Sequence, residues 1–192
     1  WKRRLAALGF DALESEQFGE RRLDFAHPCG IAYALVEAAG DRRRPHVHPE
    51  VGADVAIRGT HGIACTVRET AAMDEFVTAG WSARQALDAT RATRYELGAG
   101  GSGTIIDVEE APDLPQGSWT FAEGTIHHCA FGGSGLDDQM ERKLHLEGMG
   151  FTDCSDVKDR GYFDSVYVRT PGGPLFEVTI SKPEGFAIDE PA

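Results

Sequence analysis

Apolar and polar residues alternate along most of this chain, in short runs bounded by Gly or Pro, which is the signature of half-buried strands. Residues 1–9 instead have helical period, with Trp1, Leu5 and Leu8 on one face and Gly9 as the stop. Strands are expected at 10–17, 20–26 and 30–37, separated by Phe18-Gly19 and Pro28-Cys29-Gly30. Residues 38–56 contain Gly40-Asp41-Arg42-Arg43-Arg44-Pro45 and read as a linker. A strand over 57–67 and a helix over 70–80 follow, the helix with Ala72, Phe76 and Val77 apolar and Thr70 or a neighbour as its cap. Three more strands are expected at 81–86, 92–97 and 103–108, then an acidic, proline-containing connection over 109–123. The remainder predicts a strand at 124–132, a helix at 136–149, and strands at 150–157, 161–169 and 174–181.

The order strand, helix, strand, strand, strand thus occurs twice in full and once without its first strand. The residues repeat as well. Thr60-His61-Gly62-Ile63-Ala64-Cys65 lines up with Ile126-His127-His128-Cys129-Ala130-Phe131, and Gly103-Thr104-Ile105-Ile106-Asp107 with Gly173-Pro174-Leu175-Phe176-Glu177. Pro28-Cys29-Gly30-Ile31-Ala32-Tyr33-Ala34 is the same turn and strand in the first unit. A period of this length implies stacked supersecondary units that share cores. The expectation is an α+β protein of repeated βαβββ modules forming curved mixed sheets. Its parts are a partial module at 1–38, a linker at 39–56, a module at 57–110, a linker at 111–123, a module at 124–181 and a tail at 182–192.

The candidate chemistry lies in the last module. His128 on its first strand and Glu177 on its last meet if the strands share one sheet, and together they make two-thirds of the two-histidine, one-carboxylate triad that cradles non-heme Fe(II). Glu177 stands between Phe176 and Val178, and an inward carboxylate there is costly unless paired or metal-bound. In the repeat, His128 aligns with Gly62, and Glu177 with Asp107 and Ala34, so one module carries both groups. His61 aligns with His127, one residue off, and adjacent strand residues face opposite sides. His46-Val47-His48, flanked by Pro45 and Pro49, reads as part of the linker. Gly98-Ala99-Gly100-Gly101-Ser102-Gly103 precedes a strand and no Lys-Ser/Thr, so it reads as a turn rather than a phosphate loop.

Composition narrows the partners. The chain has 192 residues, 41% of them hydrophobic, enough for a real core. With 31 acidic against 19 basic residues, a net charge of -12 gives no electrostatic case for nucleic acid or an anionic membrane surface. No apolar run reaches bilayer length, and the amphipathic opening Trp1-Lys2-Arg3-Arg4-Leu5 is not expected to be a signal peptide. Cys29, Cys65, Cys129 and Cys154 form no CxxC pair and are expected to be free thiols of a cytoplasmic protein.

The repeat with His on a first strand and Glu on a last resembles the vicinal oxygen chelate superfamily of glyoxalases, bleomycin-resistance proteins and extradiol dioxygenases. Gly124-Thr-Ile-His-His-Cys-Ala-Phe131, Val157-Lys-Asp-Arg-Gly-Tyr-Phe-Asp-Ser-Val-Tyr-Val-Arg169 and Thr170-Pro-Gly-Gly-Pro-Leu-Phe-Glu-Val178 look like the hydroquinone-type ring-cleaving dioxygenases. The resemblance implies an Fe(II) enzyme, with Mn(II) as the alternative metal, of four modules in two domains. This chain would correspond to the end of the second module, the third and the fourth, and the remaining metal histidine would come from the first. It implies that His128 and Glu177 are metal ligands and that His127, Arg160 and Tyr167 handle substrate and protons. Arg160 has an alternative as a surface partner of Asp159 or Asp164, and Tyr167 as ordinary strand packing. The expected partners are a small aromatic diol and O₂, and an uncovered sheet edge predicts a homo-oligomer. Two other functions share the fold: a glyoxalase-like metal-dependent isomerase or lyase, for which Asp107 is the spare carboxylate in register, and a metal-free small-molecule binding module or inactive fragment.

Overall fold

The computed structural model describes residues 1–115 and 122–185. Parts of the expected 109–123 connection and of the tail, residues 116–121 and 186–192, lie outside the described residues. The elements are α1 (Lys2–Ala7), β1 (Ala12–Gln17), β2 (Glu20–Ala26), β3 (Ala32–Val36), β4 (Gly62–Val67), α2 (Ala71–Glu75), β5 (Arg84–Ala89), β6 (Ala92–Glu96), β7 (Ile105–Glu110), β8 (Cys129–Gly132), α3 (Leu136–Gly148), β9 (Lys158–Asp159), β10 (Phe163–Arg169) and β11 (Leu175–Ser181). They form three sheets, ordered β1-β2-β3, β4-β7-β6-β5 and β8-β11-β10-β9. The two four-stranded sheets share one topology, with the first strand laid beside the last. In the third sheet β8 runs parallel to β11 while β10 is antiparallel to it, so the sheet is mixed.

The described chain divides into two compact units that do not follow sequence order. The first takes residues 1–66 and 83–111, with a short piece ending at Ile126. Its β1–β2 hairpin turns on Phe18 and Gly19, both with positive φ (53° and 76°), the two-residue geometry that matches strand twist. Ala92, Tyr95, Ile105, Ile106 and Val108 are its buried apolar residues on β6 and β7.

The second unit takes residues 67–82 and the described chain from His127 onward, with a short stretch beginning at Pro112. Its sheet has two unlike faces because strand residues alternate. One face presents Phe131, Val166, Val168, Phe176 and Val178. Phe176 is fully buried and its ring lies within 5.8 Å of Phe76, 5.2 Å of Trp81 and 4.9 Å of Phe131, centroid to centroid. Burying each such side chain contributes about 1.5–3 kcal/mol. α3 crosses this face. Asp137 and Asp138 in its first turn suit the helix dipole, and Asp138 accepts Ser134 N–H at 2.8 Å and Arg142 Nε–H at 2.7 Å. Gln139, fully buried, donates Nε2–H to the carbonyls of Asp164 (3.0 Å) and Val178 (2.8 Å), which pins the helix to β10 and β11. The opposite face carries the polar residues of the next subsection.

Five expected elements differ from those observed. The strand expected over 57–67 begins only at Gly62, because Gly59 has φ +136° and Arg43 donates to the Thr60 carbonyl at 2.9 Å, holding that stretch in a loop. The helix over 70–80 changes at Phe76 into a π-helical turn, Phe76–Gly80, and Thr70 provides no side-chain cap. Trp81 N–H closes that turn on the Phe76 carbonyl at 2.9 Å and Ser82 takes φ +58°, so the next strand starts at Arg84 rather than 81. Residues 150–157 form no strand: Gly150 has φ +98°, Phe151 turns its ring edge onto Phe76, and Ser155 Oγ takes the Tyr167 N–H at 3.0 Å in place of a ladder carbonyl. The strand expected over 124–132 is shortened to Cys129–Gly132, since Thr125 closes a turn on Ala122 and Ile126 points to solvent.

One glycine is fixed by packing. A Cβ at Gly172 would lie 2.3 Å from Val67 Cγ1, and Val67 is itself buried. Gly172→Ala is expected to cost about 1–3 kcal/mol, the usual range for overpacking, read as a shift of the urea midpoint. A midpoint within experimental scatter of wild type would show that Val67 yields freely.

Candidate metal centre

β10 and β11 pair so that Tyr167 lies directly opposite Glu177 and Ser165 opposite Thr179. All four side chains share the face away from the Phe176 cluster. On the other side of β11, Ala130 of β8 is the partner of Glu177, and His128, just before β8, falls on the same face. The parallel pairing of first and last strands therefore brings together two residues that are remote in sequence.

Glu177 is 1% exposed. Ser165, fully buried, donates its hydroxyl to Glu177 Oε1 in a short hydrogen bond. The other oxygen, Oε2, lies 2.9 Å from His128 Nε2, yet it has no hydrogen-bond partner of acceptable geometry among the described residues. The His128 side chain is 36% exposed, so the open side of the site lies toward it.

Around this pair stand the other candidates. His127 Nδ1 and His128 Nδ1 are 2.8 Å apart, and the two rings are perpendicular. Tyr167 packs edge-to-face on His128 with centroids 5.5 Å apart. Arg160 donates Nε–H to the Tyr167 hydroxyl at 3.3 Å and lays its guanidinium over the ring. It does not pair with Asp159, which is held by Lys182 at 2.6 Å. Burial, and then the Glu177 carboxylate, push the Cys129 thiol up to about 11, and as the ladder partner of Phe176 it lies on the opposite face. Among the described residues no cluster of three His, Cys, Asp or Glu forms that could hold a metal.

The first unit holds the same register with different residues. Arg94 is the ladder partner of Asp107, as Tyr167 is of Glu177. Arg94 gives Nε–H and Nη2–H to the two Asp107 oxygens, both at 2.8 Å, and Nη1–H to Glu20 at 2.6 Å. His61 Nε2 reaches Glu20 at 3.2 Å and Nδ1 reaches Ser102 Oγ at 2.8 Å. There the guanidinium supplies the positive charge. Asp107 and His61 are committed to this network.

No family model matches the chain. It is similar to the chlorohydroquinone/hydroquinone 1,2-dioxygenase of Sphingobium indicum, 40% identical over 177 residues, which is 91% of this chain and 54% of that protein. The crystal structure of a Bacillus subtilis protein described as a candidate dioxygenase matches with a TM-score of 0.85 at 28% identity, over 99% of this chain and 59% of that one. The chain shares the fold of the vicinal oxygen chelate superfamily. A glyoxalase/bleomycin resistance protein/dioxygenase domain from Frankia shows the same vicinal oxygen chelate fold, with a TM-score of 0.59 at 12% identity over 67% of this chain. The chain spans about half the length of the curated relatives it matches, 54% and 59% for the first two.

Of the residues singled out from the vicinal oxygen chelate pattern, His127, His128, Arg160, Tyr167 and Glu177 thus lie in one connected cluster. Ser165 escaped sequence reasoning. Its signal was there: it precedes Tyr167 by two positions, hence shares its face, and a small polar residue in mid-strand is unusual.

Proposed function

We propose that the chain serves in Fe(II)-dependent, extradiol-type ring cleavage of hydroquinone- or catechol-like aromatic diols by O₂. His128 Nε2 and Glu177 Oε2 would hold the metal, Mn(II) being the alternative. The observation that supports this most is the buried Glu177 Oε2, without a hydrogen bond and 2.9 Å from His128 Nε2. A buried carboxylate in that state is costly, and a cation at the open side offsets the cost. The resemblance to hydroquinone-type dioxygenases assigns the third ligand, a histidine, to the part of those proteins that this chain does not span.

Bound there, the metal would supply adjacent positions for diol and O₂ and would ease deprotonation of the diol. The chain's own residues do the rest. With Nε2 turned to a cation, the proton of His128 resides on Nδ1, which makes it the donor to His127 Nδ1 across 2.8 Å. His127 is then the Nε2–H tautomer, and that N–H is left to donate a hydrogen bond on its exposed side. Tyr167 accepts from Arg160, which leaves its own hydroxyl hydrogen to donate to an oxygen at the site. Arg160 adds a fixed positive charge near a developing anion. A glyoxalase-like isomerase fits less well, because the spare carboxylate it would draw on, Asp107, is bound at both oxygens by Arg94.

Anaerobic loading with Fe(II) followed by elemental analysis tests the reading. The expected ratio is near one metal per chain, with oxygen uptake on adding hydroquinone. A ratio near zero would overturn it in favour of an inactive fragment or a metal-free binding module.

A further inference from the structure

One buried polar residue of the site face has no part in the reading so far. Ser165 sits in the middle of β10, fully buried, where a β-branched or aromatic residue would suit the strand better. Its hydroxyl donates to Glu177 Oε1. The neighbouring hydroxyl, Thr179 Oγ1, is buried without a hydrogen-bond partner among the described residues, so it does not share this task.

Rotation about the last bond of a glutamate side chain is soft, with broad wells rather than sharp rotamers. Left alone, the Glu177 carboxylate would turn and present either oxygen, or both. A hydrogen bond to Oε1 fixes the carboxylate plane and draws charge from that oxygen. The remaining oxygen, Oε2, is the one beside His128 Nε2 and is left unbonded. The geometry points to Ser165 as a positioning residue that makes Glu177 a one-oxygen ligand, through Oε2, for a divalent cation. The inference rests on the reading of Glu177 as a ligand, and it adds which atom binds and what selects it.

The test titrates the full chain with Mn(II), following free Mn(II) by electron paramagnetic resonance. It also records the infrared difference between metal-bound and metal-free protein, in which a one-oxygen carboxylate ligand shows wider splitting of its two stretches than a two-oxygen ligand. Wild type, Ser165→Ala, Ser165→Thr and Glu177→Gln are compared. Ser165→Ala is expected to bind about 10- to 100-fold more weakly, as loss of an outer partner usually does, and to narrow the splitting. Ser165→Thr, which keeps a hydroxyl, restores both. If Ser165→Ala matches wild type while Glu177→Gln loses Mn(II), the inference fails and the ligand reading stands. An affinity loss with unchanged carboxylate bands would make Ser165 a packing residue and also overturn the inference. If Glu177→Gln binds as wild type does, or wild type itself takes up no Mn(II), the ligand reading falls and takes the inference with it.

Discussion

Replacing Glu177 by glutamine is expected to weaken divalent metal binding by more than about 100-fold, since losing even an outer partner costs about 10- to 100-fold. The amide keeps the shape of the carboxylate and removes its charge. What distinguishes this result from simple damage is the stability of the metal-free protein. Glu177 is 1% exposed, and its Oε2 has no hydrogen bond. A charge kept in that condition works against folding, and neutralising it relieves the cost. The metal-free Glu177→Gln protein should therefore melt at or above the wild-type temperature while failing to hold metal. Equilibrium dialysis with Fe(II) under nitrogen and a thermal melt of the apo-protein make the comparison. Loss of metal together with a large fall in melting temperature would instead mark Glu177 as a structural residue. Unchanged metal uptake would remove it from the ligand set.

The second large effect belongs to the other unit. Asp107→Ala is expected to destabilise the protein by about 3–5 kcal/mol, the range for breaking a buried ion pair by removing one partner. Arg94 and Asp107 are 4% and 6% exposed, and the two hydrogen bonds between them are both 2.8 Å long. Burial acts to lower the pKa of Arg94, but the hydrogen bonds to Asp107 and Glu20 outweigh it and raise the pKa, so the guanidinium stays charged. Without Asp107 that charge remains inside with only Glu20 to match it. Replacing both partners, as Arg94→Met with Asp107→Leu, should recover most of the loss, because a packed apolar pair needs no compensation. Urea unfolding of the single and double variants separates the cases. A single variant within about 0.5 kcal/mol of wild type, the scatter of ordinary surface substitutions, would show that the network contributes nothing.

Much of this architecture was legible in the residues. Period-two runs bounded by Gly and Pro located most strands, and the repeated order of elements anticipated the shared topology of the two four-stranded sheets. What escaped detection depended on three-dimensional choices that local pattern does not encode. Residues 150–157 space their apolar residues at 151, 154 and 157, and there Phe151 is used for ring packing while Ser155 bonds through its side chain. The π-helical turn after Glu75 and the positive φ of Ser82 leave no mark that composition reveals. Asp107 read as a spare carboxylate because its partner, Arg94, looks like any polar strand residue until the ladder sets them side by side. Ser165 was missed for the same reason: a hydroxyl acquires a role only once its direction across the sheet is known.

The interleaving of the two units bears on how such a chain can be divided or recombined. The repeat runs in sequence order, but the support of the candidate metal centre does not, since residues 67–82 belong with the strands that begin after His127. A polypeptide cut to begin at residue 122 would carry both His128 and Glu177, yet it would lack Phe76 and Trp81, whose rings press on Phe176 from 5.8 and 5.2 Å. The strand bearing Glu177 would keep its chemistry on one side and lose its backing on the other. A crossover between related genes that falls anywhere from residue 83 to 126 joins ligands from one parent to a foundation from the other. One that falls before residue 67 passes both on together.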